Sequence, residues 1–202
     1  MAKRIVLFSQ PSPVVFERLK TVLFPDFLTE KIFAYMPSDG TDQVINAKYT
    51  PVWQEFSKSC GAKFVYIDNS QRGESALKES QKLLSSNILV ITGGNTFKLL
   101  HHLRLSGLGE TIKQFWEKEG VVLSGFSAGA IVLSPSINTA KTGVGDANEL
   151  GITDLTALGI IDFEVWPHYE SSQEKEVVEY RSKNHTVLRT ISNEEIVIIE
   201  NG

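Results

Sequence analysis

Residues 121–133 read Val-Val-Leu-Ser-Gly-Phe-Ser-Ala-Gly-Ala-Ile-Val-Leu, a β-rich run that enters a glycine-flanked serine and leaves as an apolar stretch of helical character. Almost no loop separates the two halves. Strand and helix alternating in this way is the signature of an α/β domain with a mostly parallel sheet. Upstream, residues 87–92 form a continuous apolar, β-branched run of the kind found in strands buried on both faces, and Gly93 and Gly94 end it. Further strands are expected over 5–8, 31–35, 63–67, 159–165 and 195–200. Ser12 followed by Pro13 reads as an N-cap with a first-turn proline, and Val15, Leu19, Val22 and Leu23 then share one helical face. Other helices are expected over 52–58, 74–84, 96–104, a stretch carrying Leu108, Ile112, Phe115 and Trp116 that closes at Gly120, and 172–188. Residues 136–159 are rich in Gly, Thr, Asn and Asp, too polar for core and too long for a tight turn. They read as a surface excursion beside the functional site.

Composition bounds the class. The chain has 202 residues, 42% hydrophobic and 22% charged, enough for one large domain spanning 1–202 with its own core and without repeats, linkers or low-complexity segments. Twenty basic residues against 24 acidic ones, spread without long blocks, argue against a nucleic-acid surface or an acidic tail. A single cysteine, Cys60, can form neither an internal disulfide nor a structural zinc site, so a reducing, cytoplasmic setting is expected. The opening MAKRIVLFSQ is too short in its apolar part for a signal-peptide core or for the ~20 residues of a membrane span. Nothing in the sequence bears on oligomeric state.

Residues 125–129 fit G-x-S-x-G in the strand-to-helix context that gives the pattern meaning. A serine on so sharp a turn has its hydroxyl thrust out at the carboxyl end of the sheet, and the flanking glycines remove side chains that would clash. Ser127 is therefore the candidate nucleophile, although a serine there would also N-cap the following helix well. The free N–H groups of that helix, Ala128 first, would face an oxyanion formed beside Ser127. The turn Thr92-Gly93-Gly94-Asn95-Thr96-Phe97 ends the other buried strand, and ligands in open α/β sheets sit at such strand ends. Gly94 is the candidate second oxyanion donor; the same turn is equally read as a simple loop capped by Asn95 or Thr96.

A serine hydroxyl needs a base. Of the four histidines, His101 and His102 lie on a helix leading away from the glycine turn, and His185 sits in a polar stretch. His168, in Val165-Trp166-Pro167-His168-Tyr169, follows an apolar run where Pro167 holds the chain extended, and is the best candidate. The His and acidic residues are not spaced as metal ligands, and no motif calls for an organic cofactor.

Taken together, residues 91–97, 125–130 with Pro135, and 158–169 make the sequence similar to the serine peptidase family of peptidase E (aspartyl dipeptidase) and cyanophycinase. The resemblance implies a three-layer, flavodoxin-like fold related to class I glutamine amidotransferases, with serine in place of their cysteine nucleophile. It implies a small peptide substrate, Ser127 as nucleophile through an acyl-enzyme, His168 as general base, and Gly94 and Ala128 as oxyanion donors. The family's third member is an acid on the loop before a late strand, here Ser192-Asn193-Glu194-Glu195. Ungapped counting puts Asn193 at that position, and a one-residue shift brings Glu194 to His168. Glu194 is the expected partner, with Asn193 second. An aspartate between serine and histidine is an older assignment; Thr142 stands roughly there and Asp146 is the nearest acid, the third choice. An N-terminal aspartate in the substrate would need a cation, for which Lys98, Arg104, Lys141 and Arg181 are candidates. The competing expectations are a non-catalytic ligand-binding or interaction module on the same fold, a cyanophycinase-like activity, and a general amidase or esterase.

Overall fold

The computed structural model describes residues 2–142 and 145–201. Its centre is a sheet of six strands: β1 (Lys3–Phe8), β2 (Ile32–Met36), β3 (Lys63–Tyr66), β4 (Ile88–Ile91), β5 (Val122–Phe126) and β8 (Ile196–Asn201), in the order β3-β2-β4-β5-β1-β8. Every pairing is parallel except that of β8 with β1 at the edge. A shorter parallel pair, β6 (Glu164–Trp166) with β7 (Leu188–Thr190), stands apart.

The three layers follow from period-2 side-chain alternation in the strands. Val6, Phe8, Phe33, Tyr35, Ile88, Val90 and Val122 point to one face, where they meet α1 (Pro13–Val22) and α2 (Gln43–Ser59) through Val15, Leu19, Trp53 and Phe56. Ile5, Leu7, Ala34, Leu89, Ile91 and Leu123 point to the other. There they meet α3 (Gly73–Leu84), α4 (Thr96–Ser106), α5 (Leu108–Glu117) and the single turn α6 (Ala128–Ile131). All four residues of β4 are buried, as a strand covered on both faces requires. A satellite cluster of Trp166, Val177, Tyr180 and Leu188 packs α7 (Glu174–Lys183) onto the β6–β7 pair. Among the described residues, no helix is long and apolar enough to cross a membrane.

Three elements differ from the reading of the sequence. The helix expected over 52–58 is the end of α2, which starts from an Asp42 cap on the Ile45 N–H (2.9 Å) and runs through Pro51 on its exposed face. Of the strand expected over 159–165 only Glu164 and Val165 form, in β6, which runs on to Trp166; the chain before them turns, with Gly159 at φ 62°. The helix expected over 172–188 ends at Lys183, and only its last residue, Leu188, belongs to β7, whose partner β6 is distant in sequence.

The carboxyl ends of β4, β5 and β1 lie side by side, with Ile91 opposite Gly125 and Leu7 opposite Gly125 on the other flank. All three deliver their following residues to one crevice, the place where open α/β sheets bind ligands.

Candidate active site

Ser127 sits on the turn between β5 and α6 with φ 50° and ψ −117°, a region sparsely used by non-glycine residues and held only where the surroundings enforce it. The two flanking glycines are what allow it. A Cβ on Gly125 would collide with the Gly129 carbonyl, and one on Gly129 would collide with the Ile91 carbonyl at the end of β4. The Ser127 N–H donates to the Phe8 carbonyl at the end of β1 (3.1 Å), so the serine turn is tied to both neighbouring strands.

The hydroxyl does not cap α6. Instead, Ser127 Oγ lies 2.9 Å from His168 Nε2, and His168 Nδ1 lies 2.8 Å from Asn193 Oδ1. An amide oxygen accepts, so Nδ1 carries the proton, and Nε2 is left to accept from the serine. His168 itself is left-handed (φ 57°), and its N–H donates to Ser9 Oγ (2.9 Å). The pieces expected to come together from β5 and from the segment after β6 do so.

The third partner is a correction. Glu194 is exposed, and its contribution is a backbone carbonyl that accepts from Arg18 (2.8 Å). The loop closes through Glu195 N–H to the Ser192 carbonyl (3.2 Å), a tight turn that aims Asn193 at the imidazole and the next side chain at solvent. Asp146 does line the cleft, yet its carboxylate accepts from the Thr96 N–H (2.7 Å) at the start of α4 and makes no bond to the histidine. Thr142 Oγ1 donates to the Thr139 carbonyl (2.8 Å).

The glycine turn after β4 caps the next helix and also brings backbone close to Ser127. Asn95 caps α4 by accepting from the Lys98 N–H (2.9 Å), while a Cβ on Gly93 would stand 2.9 Å from the Ser127 Cβ, so backbone approaches the serine closely. Gly94 follows at φ 140°, beside Ser38. Ala128 opens α6, where an N–H has no intrahelical acceptor. Because α6 is a single turn of four residues, any oxyanion would feel local N–H groups more than a macrodipole.

Ser127 and His168 lie in a cleft of about 380 Å³, counted to its open mouth, with Ile131, Trp166 and Pro167 as apolar floor and Thr139, Ala140, Thr142, Gly145 and Asp146 as wall. The polar excursion after Pro135 is thus the wall of the site, and Asn95 and Asp146 fasten it to α4. None of the four candidate cations is among the described lining residues. Lys98 pairs with Glu149 (3.6 Å), Arg104 with Asp154 (2.9 Å), Arg181 donates to the Leu188 carbonyl (3.3 Å), and Lys141 is exposed. His102 is buried away from the cleft between Arg72 and Asp39; burial first, and Arg72 next among the lowering causes, hold its pKa below the usual value despite Asp39. His185 is exposed. Among the described residues no three His, Cys, Asp or Glu side chains converge as a metal-binding group. Ser9 was not legible as a site residue: its only sequence signal is a polar side chain directly after a buried strand.

Comparison with known proteins follows the same lines. The model of peptidase family S51 matches residues 15–202. An uncharacterized peptidase of Listeria monocytogenes serovar 1/2a is 30% identical over 185 residues, 88% of this chain and 87% of that protein. Peptidase E of Shigella flexneri is 28% identical over 130 residues, which cover 62% of this chain and 53% of that protein. In fold, the chain superposes on a Listeria monocytogenes EGD-e crystal structure provisionally designated a peptidase E, with a TM-score of 0.77, 24% identity, and coverage of 99% and 95%. A peptidase from an acI-B1 Actinobacterium gives 0.74 at 19% identity, covering 98% of this chain and 84% of that one.

Proposed function

The chain belongs to peptidase family S51, and on that footing we propose that it hydrolyses small peptides as a serine peptidase through an acyl-enzyme on Ser127. The observation that carries this is the relay from Ser127 Oγ to His168 Nε2 (2.9 Å) and from His168 Nδ1 to Asn193 (2.8 Å), with the serine hydroxyl free of any capping role.

In the first half-reaction Ser127 Oγ attacks the scissile carbonyl carbon while Nε2 takes its proton. The negative charge that develops on the carbonyl oxygen is met by the N–H groups of Gly94 and Ala128. Collapse breaks the C–N bond, and the leaving amine takes the proton from Nε2. Water, deprotonated by the same nitrogen, then attacks the acyl-enzyme and restores the serine. Asn193 holds the imidazole in the productive tautomer throughout, without adding a negative charge beside the imidazolium.

The narrower reading, release of an N-terminal aspartate, draws its support from the peptidase E relatives and not from the described lining, where no cation stands. A panel of Asp-X and Ala-X dipeptides and p-nitroanilides, with cyanophycin and a simple ester beside them, tests both levels. Cleavage that falls by about three or more orders of magnitude in Ser127→Ala supports the serine mechanism. A wild-type protein inert to the whole panel, or a variant as active as wild type, sinks it. Asp-X turned over faster than Ala-X supports the aspartate register, and equal rates remove it. The second reading, a binding module that has lost catalysis, is favoured by one observation, the amide where the family carries an acid. An inert wild type that still binds panel peptides would be its signature.

A further inference from the structure

Ser9 directly follows β1 and is fully buried. A hydroxyl offers one donor and two acceptor lone pairs. Here it accepts from the His168 N–H (2.9 Å) and donates to the Ile191 carbonyl (2.8 Å). One residue earlier, the Phe8 carbonyl accepts from the Ser127 N–H (3.1 Å). Two consecutive residues at the end of one strand therefore grip the backbones of both the serine and the histidine, and Ser9 also grips the segment that leads, two residues on, to Asn193. We propose that Ser9 is a positioning residue for the catalytic pair, fixing His168 relative to Ser127 and Asn193; this rests on the serine-peptidase reading above.

The bonds around Ser9 are unequal in what they can lose. The Ile191 carbonyl also accepts from the Tyr169 N–H (3.0 Å), and the Ile191 N–H is held by the Trp166 carbonyl (2.9 Å), so this segment stays anchored without the hydroxyl. The His168 N–H donates to Ser9 Oγ, and His168 is in a left-handed conformation that outside bonds must hold. Removing the hydroxyl takes away the acceptor of that N–H beside a fully buried side chain, and a donor left unpaired there is costly enough to make the backbone turn toward another acceptor. The imidazole moves with it. Both of its hydrogen bonds, to Ser127 and to Asn193, then lengthen or misalign. Substrate never touches a fully buried side chain, so the effect falls on the chemical step.

The test measures both the amplitude and the rate of labelling of Ser127 by a fluorophosphonate in wild type, Ser9→Ala and Ser9→Cys. For Ser9→Ala the expected result is full amplitude with a labelling rate constant lower by about 10- to 100-fold, the scale on which a small misplacement of reacting groups acts. Ser9→Cys, which keeps the side-chain shape with a somewhat larger atom and a weak hydrogen-bonding group, should fall between the two. A role confined to folding gives the opposite split: reduced amplitude or melting temperature, with the folded fraction reacting at the wild-type rate. A rate for Ser9→Ala within about twofold of wild type overturns the proposal. So does a Ser9→Cys protein that fails to fold when Ser9→Ala also fails, since Ser9 then belongs to the core alone. Absence of labelling in wild type strikes the serine-peptidase reading instead, which keeps the two failures apart.

Discussion

An amide in the place of a carboxylate changes what His168 can do. Asn193 fixes the tautomer through its 2.8 Å bond to Nδ1 but, in the proposed mechanism, would offer no charge to the imidazolium formed during attack. Asn193→Ala should therefore cost on the order of 10- to 100-fold in kcat with little change in KM, because orientation is lost while the cleft lining stays. Asn193→Asp should move the acid limb of the kcat/KM profile to higher pH, since a carboxylate beside an imidazole raises its pKa. A limb that stays in place or moves to lower pH would show that residue 193 does not face the catalytic histidine. Glu194→Gln, at an exposed position, should leave the profile unchanged. Cys60 makes a contrasting residue-scale case. Burial pushes its thiol pKa up, so little thiolate is present near neutrality. Iodoacetamide at pH 7 should alkylate it slowly and leave peptide hydrolysis intact.

At the scale of elements, the site is a set of strand ends stitched to one wall. The Gly129 backbone packs against the end of β4 so closely that Gly129→Ala should cost about 1–3 kcal/mol in urea unfolding and displace Ser127 from His168. Near-normal hydrolysis by that variant would mean the turn has slack. Asp146 accepts from the Thr96 N–H at the start of α4, where a carboxylate contributes up to about 1 kcal/mol. Asp146→Ala should lower stability by that order and raise KM as the wall loosens, whereas Asp146→Asn should do less of both. Most of the sheet was legible because its strands are short, apolar and buried, and the helices between them cap in recognisable ways, as Ser12 does through the Val15 N–H (3.2 Å). The errors have physical reasons. Pro51 reads as a helix breaker, yet α2 runs through it: the one backbone hydrogen bond it forfeits is offset by the burial of Trp53 and Phe56 on the same helix, which a local pattern does not show. The three residues of β7 exist as a strand only because β6 lies beside them, and a local pattern cannot contain that partner. At the site, the meeting of Ser127 with His168 was legible, whereas choosing between Asn193 and Glu194 depends on which of two adjacent side chains a tight turn aims inward.

For the whole molecule, pH reaches stability through groups away from the cleft. His102 is held neutral by burial, its pKa lowered from 6.5. Between that lowered value and 6.5 the unfolded chain binds the extra proton, so stability rises with pH across this window and is complete above it. Asp39 and Asp68 are pulled below 3.8, because hydrogen bonds from Thr41 to the first and from Ser70 and Gln71 to the second outweigh the upward push of burial. Their contribution is present above 3.8 and is lost as pH falls through the lowered values. Urea unfolding should therefore give a larger free energy at pH 7 than at pH 5, and His102→Gln should flatten the difference. A wild type equally stable at both would contradict the assignment of His102. Three strand ends and two loops converge to set Ser127 Oγ 2.9 Å from His168 Nε2, and the activation of the serine that we propose rests on that contact. The most direct measurement is peptide mapping by mass spectrometry after treatment of the folded protein with a fluorophosphonate. One adduct per chain on Ser127, absent from Ser127→Ala and strongly slowed in His168→Ala, is the expected result; no adduct, or one on another residue that persists in Ser127→Ala, would contradict it.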